Sequence, residues 1–307
     1  MNNLHGGDLL SLADLNADEL HDLLTLAAKL KYGDLRPRCD GKVLGLLFYK
    51  ASTRTRVSFS VAMCQLGGQV IDLNPSTTQV GRGEPISDTA RVLERYLDIL
   101  AIRTFAQQDI ATFADYADIP IINALTDVYH PCQILADLLT VRECFGKLNG
   151  LTLTFLGDGN NVAHSLLLGC ALTGVNIRVA TPPEFKPDDA IVARARQLAT
   201  DSTIAIVDDA KAAVEGAHVL YTDVWASMGQ EDSAVDRLPV FQPYQLNSGL
   251  VQLAAPEAIV LHCLPAHREE EITTEVIEGK QSRVWDQAEN RMHAQKALIA
   301  SLLGLVV

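Results

Sequence analysis

The sequence predicts an α/β protein of two domains, each a parallel sheet flanked by helices. Its 307 residues exceed a single domain of roughly 100–200 residues. Hydrophobic residues make up 48% of the chain and charged residues 21%, which is an ordinary globular composition. Short apolar runs alternate with stretches long enough for helices, and this alternation is typical of parallel β-α-β units.

The N-terminal half predicts the first of these domains. Asn16 and Glu19 form a capping-box pattern, and leucines then recur at helical spacing until Gly33 ends the helix. Four strand-like runs follow, at residues 43–48, 70–73, 99–102 and 119–122. A long helix is expected over residues 131–145, because Gly146 follows its last apolar position.

A second series of strand-like runs predicts the second domain. They lie at residues 151–156, 176–180, 203–207, 218–221 and 258–262. The polar turn after Gly146 places the domain boundary near 146–150, so the first domain spans 1–146 and the second 147–286. A final helix is expected near 287–302, and its periodicity alone assigns it to neither domain. Two such domains are expected to bind ligands in a cleft between them.

Charge and cysteine usage exclude several classes of partner. The 25 Lys and Arg against 38 Asp and Glu give a formal net charge of −13, which repels phosphate backbones and anionic membranes. No apolar run is long enough for a bilayer, and the N-terminal residues lack a signal-peptide pattern. The six cysteines are scattered without a Cys-x-x-Cys pair. A cytoplasmic protein with reduced thiols is expected, with no nucleic-acid or membrane partner.

The densest chemical feature is Ser-Thr-Arg-Thr-Arg at residues 52–56, between the first strand and a helical run. Unpaired backbone N–H groups and a positive dipole end are brought together there with arginine side chains, so a phosphate is the natural ligand. The alternative is a helix N-cap followed by solvated arginines. The Walker spacing of glycines and lysine is absent, so a nucleotide loop is not predicted.

Gly-Asp-Gly-Asn-Asn at residues 157–161 resembles the start of a dinucleotide fingerprint but departs from it. Val162 stands where the third glycine belongs, and no acidic residue ends the next strand, so a nicotinamide enzyme is not expected. Asn160 and Asn161 can still donate hydrogen bonds to a bound carboxylate or carbonyl group.

His-Cys-Leu-Pro-Ala-His at residues 262–267 follows an apolar strand. Two histidines and a cysteine invite a metal interpretation, but their spacing fits no zinc pattern. Cys263 is therefore interpreted as a substrate contact rather than as a metal ligand or a nucleophile, which would need a partner base.

Two further positions complete the set of candidates. Asp223 follows a strand and precedes a loop of small residues, where a carboxylate can hold an ammonium group. His130 opens the long helix, where the dipole favours contact with anionic or carbonyl oxygens. Taken singly, each could equally be an ordinary loop acid or a helical histidine.

Together these segments resemble the aspartate/ornithine carbamoyltransferase family from about Leu35 to the last helix. Residues 52–56 and 130–133 look like motifs of the whole family, whereas residues 227–229 and 262–265 look like those of its ornithine branch. The matching segments are 52–56, 81–85, 102–104, 130–133, 158–161, 223–229, 262–265 and 289–293.

The resemblance implies that carbamoyl phosphate binds to the first domain. Its implied ligands are Ser52, Thr53, Arg54, Thr55, Gln79, Arg103, His130, Gln133 and Arg291. Because Arg291 lies near the C terminus, the resemblance also implies that the helix within residues 287–307 returns to the first domain. Arg54, Arg103, His130 and Cys263 are the implied catalytic residues.

The resemblance implies that the second domain binds ornithine. Its implied ligands are Asn161, Asp223, Ser227, Met228, Cys263 and Leu264. The expected reaction is transfer of the carbamoyl group to the δ-amine of ornithine, giving citrulline and phosphate, without metal or cofactor. It would serve arginine biosynthesis or run in reverse in catabolism. A homotrimer sharing a loop near residues 79–85, and closure of the domains on substrate, are likewise implied.

Two positions depart from the family pattern. Tyr49 stands where the family usually has glutamate, and His164 stands where it usually has asparagine. The alternatives left open are a carbamoyltransferase for another amine, such as putrescine or N-acetylornithine, a non-catalytic binding homologue, and a cysteine hydrolase built on Cys263.

Overall fold

Two parallel sheets form the framework of a computed structural model of the chain, which describes residues 4–75, 83–226 and 234–306, without the side chains of 234–236. One sheet has four strands and the other five, and helices flank both. The predicted α/β class with two parallel sheets is confirmed. In the described ranges, no helix is both long and apolar enough to cross a membrane.

The strands lie close to the predicted runs. They are β1 (Val43–Phe48), β2 (Gln69–Leu73), β3 (Ile99–Arg103), β4 (Ile121–Leu125), β5 (Thr152–Leu156), β6 (Asn176–Ala180), β7 (Ile204–Val207), β8 (Val219–Thr222) and β9 (Ile259–His262). The run predicted at 119–122 begins later, at Ile121, because Pro120 has no N–H to donate to the sheet.

Helices connect these strands and cover the sheets. They are α1 (Ala17–Tyr32), α2 (Thr53–Gln65), α3 (Ile86–Leu93), α4 (Gln107–Tyr116), α5 (Pro131–Phe145), α6 (Asn161–Thr173), α7 (Asp189–Leu198), α8 (Ala210–Val214), α9 (Ala234–Phe241), α10 (Ser248–Val251), α11 (Thr274–Ile277) and α12 (Val284–Leu302). The capping box of Asn16 and Glu19 is present, and Gly33 ends α1 in the left-handed conformation. The helix expected near 287–302 begins earlier, at Val284.

The chain divides into two compact units. The first unit comprises Met1–Ala136 and Asn290–Val307, and the second comprises Asp137–Glu289. The division falls within α5 and within α12, so most of the final helix belongs to the first unit, as the predicted return of this helix requires. There Lys296 Nζ donates to Gln65 Oε1 on α2 at 2.8 Å. The boundary near 146–150 remains a prediction.

In the first unit the strand order is β2-β1-β3-β4. The chain proceeds from β1 to β2 on one side and then continues with β3 on the other side of β1. In an open parallel sheet, such a reversal opens a crevice at the carboxyl ends of the two central strands, where ligands bind. The core beneath it contains Leu47, Leu100, Ile102 and Phe113.

The second unit repeats this arrangement with the order β7-β6-β5-β8-β9. Its reversal lies between β5 and β8, so the segments after these two strands are brought to one edge of the sheet. Asp158 follows β5 and Asp223 follows β8. In each unit, the strand order therefore indicates that the loops after the two strands at the reversal are placed to bind a ligand.

Gly159 occupies a turn in which the backbone of residues 185–187 approaches closely. Its N–H donates to the carbonyl oxygen of Phe185 at 2.8 Å. A Cβ atom there would lie 2.6 Å from that oxygen and closer still to the backbone of Lys186 and Pro187. Only glycine allows this approach, because backbone atoms cannot move aside as a flexible side chain can.

We therefore expect Gly159→Ala to destabilise the protein by at least about 2 kcal/mol, the range of overpacking in a tight core. The matched control is Gly216→Ala, since Gly216 has φ +65° and open space around its Cβ position. That change should cost only about 1 kcal/mol, for the left-handed backbone alone. Denaturant unfolding of both variants measures the difference, and an equal loss in the two would contradict the steric argument.

Candidate active site

The N-terminus of α2 is arranged to receive an anion. Ser52 precedes the helix in an extended conformation, and its side chain makes no capping hydrogen bond. The first turn carries no acidic residue, and Thr53 and Arg54 are exposed. The backbone N–H groups and the positive dipole end are thus not offset by a side chain of the helix itself.

The two arginines of this motif have different surroundings. Arg56 forms an ion pair with Asp72, and its guanidinium lies 5.0 Å from the centre of the Phe48 ring. Arg54 is exposed beside the helix N-terminus. Arg54 is therefore the arginine of the motif that is exposed at the helix N-terminus, and its role as a phosphate ligand stays a prediction.

Arg103 lies at the end of β3, the strand beside β1. It pairs in register with Phe48, and its carbonyl oxygen accepts a hydrogen bond from Tyr49 at 2.8 Å. Arg103 ends β3, and the α2 N-terminus follows β1. Both therefore lie at the carboxyl ends of the two strands that flank the reversal of the first sheet.

A buried guanidinium joins three distant segments of the first unit. Arg291 on α12 donates through Nη2 to Thr55 Oγ1 at 2.9 Å and through Nη1 to Gln133 Oε1 at 2.5 Å. The same Nη1 lies 3.4 Å from His130 Nε2. All four side chains are buried. The structure thus brings together four of the predicted carbamoyl phosphate residues, which the sequence separates widely.

His130 is held in its neutral form. Burial lowers its pKa well below the ordinary value of 6.5, and the positive charges of Arg291, Arg103 and Arg54 lower it further. Because a guanidinium can only donate, its contact with Nε2 requires that this nitrogen carry the lone pair. The group around His130 is therefore strongly cationic through its arginines, while the imidazole itself is uncharged.

The second unit presents a different set of groups, centred on Asp223. Cys263 Sγ donates to Asp223 Oδ1 at 2.9 Å, and Asn160 Nδ2 donates to Asp223 Oδ2 at 2.9 Å. Asn160 also caps α6, since its Oδ1 accepts from the N–H groups of Val162 and Ala163. Both ends of Asn160 are therefore engaged with the protein, while its amide nitrogen carries two N–H donors, so the expected contact with substrate stays a prediction.

The surroundings of Cys263 favour a thiol over a thiolate. Its sulfur donates a proton to a carboxylate, and a thiolate at that position would face a like charge. The predicted role as a substrate contact thus agrees with the geometry better than the role of a nucleophile. Asn161 is half-buried at the first position of α6, and Leu264 adjoins Cys263.

Residues Asp223, His262 and Cys263 place ligand-type atoms within 4.8 Å of one another. Both ring nitrogens of His262 are engaged in this structure, Nδ1 by the N–H of Leu264 and Nε2 by Glu271. A metal ion would have to displace one of these buried partners. The donor set therefore fits a hydrogen-bonded loop better than a metal site.

Sequence reasoning assigned no role to Arg237, which anchors the turn after β5. Its Nη1 donates to Asp158 Oδ2 and to the carbonyl oxygen of Trp225, both at 2.8 Å. Burial raises the pKa of Asp158, and the hydrogen bond from Arg237 opposes that rise. No local pattern predicts a pair so far apart in the sequence.

The remaining predictions have mixed outcomes. Gln79, Ser227 and Met228 lie outside the described residues. Tyr49 is half-buried, and burial together with Asp109 raises its pKa to about 12, so its hydroxyl is uncharged. His164 Nε2 accepts the N–H of Asp188 at 3.1 Å, so this departure from the family pattern supports the start of α7.

Two parallel sheets with polar side chains at their carboxyl ends are typical of α/β enzymes. Comparison with known proteins identifies the family. The chain belongs to the aspartate/ornithine carbamoyltransferase family. Residues 7–143 match the model of its carbamoyl-P binding domain, and residues 149–302 match that of its Asp/Orn binding domain.

Relatives within that family are named ornithine carbamoyltransferase. The chain is 68% identical over 304 residues to the protein of Synechocystis sp., covering 99% of this chain and 98% of that one. The crystal structure of ornithine carbamoyltransferase from Gloeobacter violaceus is 60% identical, with a TM-score of 0.90 over 97% of this chain and 98% of that chain. The ornithine carbamoyltransferase structure from Pyrococcus furiosus is 46% identical, with a TM-score of 0.94 and 99% of each chain covered.

The lowered pKa of His130 makes stability depend on pH. As the pH falls below about 6.5, the unfolded chain binds a proton at this histidine and the folded chain does not. The free energy of unfolding therefore falls by up to about 1.4 kcal/mol per pH unit. We expect wild type to lose up to about 2 kcal/mol more than His130→Asn between pH 6.5 and 5. His21→Asn, on the exposed face of α1, is the matched control. Parallel pH curves of unfolding free energy for wild type and His130→Asn would contradict the neutral buried imidazole.

Proposed function

We propose that this chain is an ornithine carbamoyltransferase, which transfers the carbamoyl group of carbamoyl phosphate to the δ-amine of L-ornithine to give L-citrulline and phosphate. The observation that carries the proposal is the convergence of Thr55, His130 and Gln133 on the Arg291 guanidinium. The identity of 64–69% to proteins named for this activity, over almost the whole chain, supports it.

In this proposal the first unit binds carbamoyl phosphate. Its proposed ligands are Ser52, Thr53, Arg54, Thr55, Gln79, Arg103, His130, Gln133 and Arg291. The phosphate would be bound by the α2 N-terminus, Arg54 and Arg103, which supply donors and positive charge. The carbonyl oxygen would be polarised by Thr55, Arg103 and His130. We propose that residues 1–146 and 287–307 form the carbamoyl phosphate domain. Residues 147–286 form the ornithine domain in this proposal.

The second unit binds ornithine in this proposal. Its proposed ligands are Asn161, Asp223, Ser227, Met228, Cys263 and Leu264. The carboxylate of Asp223, which already accepts two hydrogen bonds, offers the negative charge that an ammonium group needs. Cys263 and Leu264 would lie near the δ-amine, with the thiol helping to orient it.

The reaction is a direct acyl transfer. The lone pair of the neutral δ-amine forms a bond to the carbamoyl carbon, and the bond from that carbon to the phosphate oxygen breaks with its electron pair remaining on the departing phosphate. The proton that the amine loses passes to that phosphate or to water. No atom changes oxidation state, so the chemistry needs no redox cofactor. Arg54, Arg103 and the helix N-terminus stabilise the charge that develops on phosphate, while positioning of both substrates supplies much of the remaining rate. Because the amine must be deprotonated, the rate should rise toward alkaline pH.

Assembly, compartment and pathway follow as further parts of the proposal. We propose a homotrimer, which membership of the carbamoyltransferase family supports. A cytoplasmic location is supported by six cysteines that are all thiols. The setting is arginine biosynthesis, with citrulline phosphorolysis as the reverse reaction.

The direct test measures product formation by the purified protein with carbamoyl phosphate and one acceptor at a time. We expect citrulline from L-ornithine and no turnover with putrescine or N-acetylornithine, because Asp223 favours a free α-amino acid. Aspartate should not react either, because its only amine is the one that Asp223 would bind. Turnover with another acceptor would keep the phosphate assignment and overturn the ornithine assignment. Binding of carbamoyl phosphate without any turnover would support a non-catalytic homologue.

The two arginines of α2 provide a matched pair for the phosphate site. Arg54→Gln should weaken carbamoyl phosphate binding by about tenfold or more, since a hydrogen bond to a charged group contributes about 1.5–3 kcal/mol. Arg56→Gln removes an equal charge but loses only the pair with Asp72 and the contact with the Phe48 ring, so its carbamoyl phosphate affinity should stay close to wild type. Calorimetric titration without ornithine measures both. Equal weakening in the two variants would show that only overall charge matters.

A further inference from the structure

We propose that His262 is a positioning residue of the ornithine side, acting as a neutral imidazole whose tautomer Glu271 sets. It holds the backbone of Leu264 and thereby directs the thiol of Cys263 toward Asp223. This inference rests on the proposed function, because Cys263 and Leu264 matter to catalysis only as ornithine contacts. Neither His262 nor Glu271 needs to touch substrate.

The tautomer of His262 follows from its partners. The N–H of Leu264 donates to Nδ1 at 2.9 Å, so Nδ1 carries a lone pair. The ring proton therefore sits on Nε2, which lies 2.9 Å from Glu271 Oε1 and donates to it. His262 is 1% exposed and Glu271 is fully buried, so water cannot replace either bond. A proton on Nδ1 would oppose the Leu264 N–H, so the imidazole works only when neutral.

The bond to Leu264 supports an unusual backbone conformation. Leu264 has φ +57°, in the left-handed region that a residue with a branched side chain rarely adopts. Such a residue persists only where its surroundings hold it in place. The lone pair of His262 Nδ1 is the partner that holds the Leu264 amide.

Cys263 is thus held from both sides. Before it, the N–H of His262 donates to Gln287 Oε1 at 2.9 Å, and Gln287 Nε2 donates to Asp137 Oδ1 at 2.7 Å. After it, the Leu264 amide is bound to the imidazole. With both flanking amides fixed by buried groups, the direction of the thiol toward Asp223 is set before substrate arrives.

Glu271 joins the two ends of this loop. The same Oε1 that accepts from His262 also accepts the N–H of His267 at 2.6 Å. Residues 262 and 267 are therefore bound to one carboxylate oxygen. This arrangement explains why the imidazole cannot turn to present a different nitrogen to Leu264.

Two substitutions of His262 separate positioning from bulk stability. The Oδ1 atom of an asparagine can occupy the place of Nδ1, so His262→Asn retains an acceptor for the Leu264 amide. The amide of a glutamine reaches the place of Nε2, so His262→Gln retains the contact with Glu271 but not the one with Leu264. We expect His262→Gln to raise the KM for ornithine about tenfold or more, the effect of one lost buried hydrogen bond, and His262→Asn to raise it much less.

Carbamoyl phosphate affinity should stay at the wild-type value in both variants, because its proposed ligands lie in the first unit. Thr154→Val is the matched control. It removes a buried hydrogen bond of the second unit, from Thr154 Oγ1 to the carbonyl oxygen of Ala213, and should lower the unfolding free energy without changing the KM for ornithine. If the KM follows unfolding free energy across all three variants, His262 is merely structural and the proposal is wrong.

A second readout does not depend on turnover. Cys64 and Cys144 are exposed, so both are replaced by serine in a background that leaves Cys263 as the accessible thiol. Mass spectrometry measures the rate at which iodoacetamide labels Cys263 in this background. His262→Gln should change that rate, whereas His262→Asn should leave it close to the rate of the protein with His262 intact. Equal rates in the two would overturn the proposal.

Glu271→Gln provides a test should either His262 variant fail to fold. A glutamine oxygen can still accept from Nε2 and from the His267 amide, so a neutral imidazole keeps its orientation, and the labelling rate and the KM for ornithine should remain close to wild type. A large change in both would indicate that an ion pair holds the loop instead. If the wild-type protein lacked ornithine turnover while the labelling differences appeared as expected, the proposed function would fail and the positioning of Cys263 by His262 would stand.

Discussion

The buried guanidinium of Arg291 is the constraint on which the first unit depends. An arginine cannot lose its charge at physiological pH, so a buried guanidinium must find hydrogen-bond acceptors nearby. Arg291 finds them at Thr55 on α2 and Gln133 on α5. It therefore connects α12, near the end of the chain, to two earlier helices. Burial lowers the pKa of His130 and the charge of Arg291 lowers it further, so this guanidinium contributes to both the geometry and the protonation of the group around it.

The parallel sheets determine which loops can carry such groups. In each unit the strand order reverses once, between β1 and β3 in the first and between β5 and β8 in the second. Arg103 is the last residue of β3, and the segments that follow β1, β5 and β8 hold Arg54, Asn160 and Asp223. These strand ends therefore supply part of each group, while His130, Cys263 and Arg291 come from other segments, and the sheets beneath are filled with buried aliphatic side chains.

The two units have opposite electrostatic character at these segments. The first offers arginines, a helix N-terminus and a neutral histidine, a combination that suits an anion with a polarised carbonyl group. The second offers a carboxylate with a thiol and an amide bound to it, which suits an ammonium group. This division is consistent with two substrates of unlike charge. It also explains why a net charge of −13 is compatible with binding a phosphate compound, because local groups outweigh the overall field at contact distance.

The sequence by itself determined the α/β class, most strand positions, the capping box of α1 and the motifs that mark the family. These features are local, since hydrophobic periodicity, caps and short motifs each involve residues a few positions apart. Only the tertiary structure decided the pairing of Asp158 with Arg237, the commitment of Asn160 to Asp223 and the tautomer of His262. Each depends on which side chains meet after the strands have assembled. A hydrogen bond between residues 63 positions apart leaves no periodic trace in the chain that encodes it.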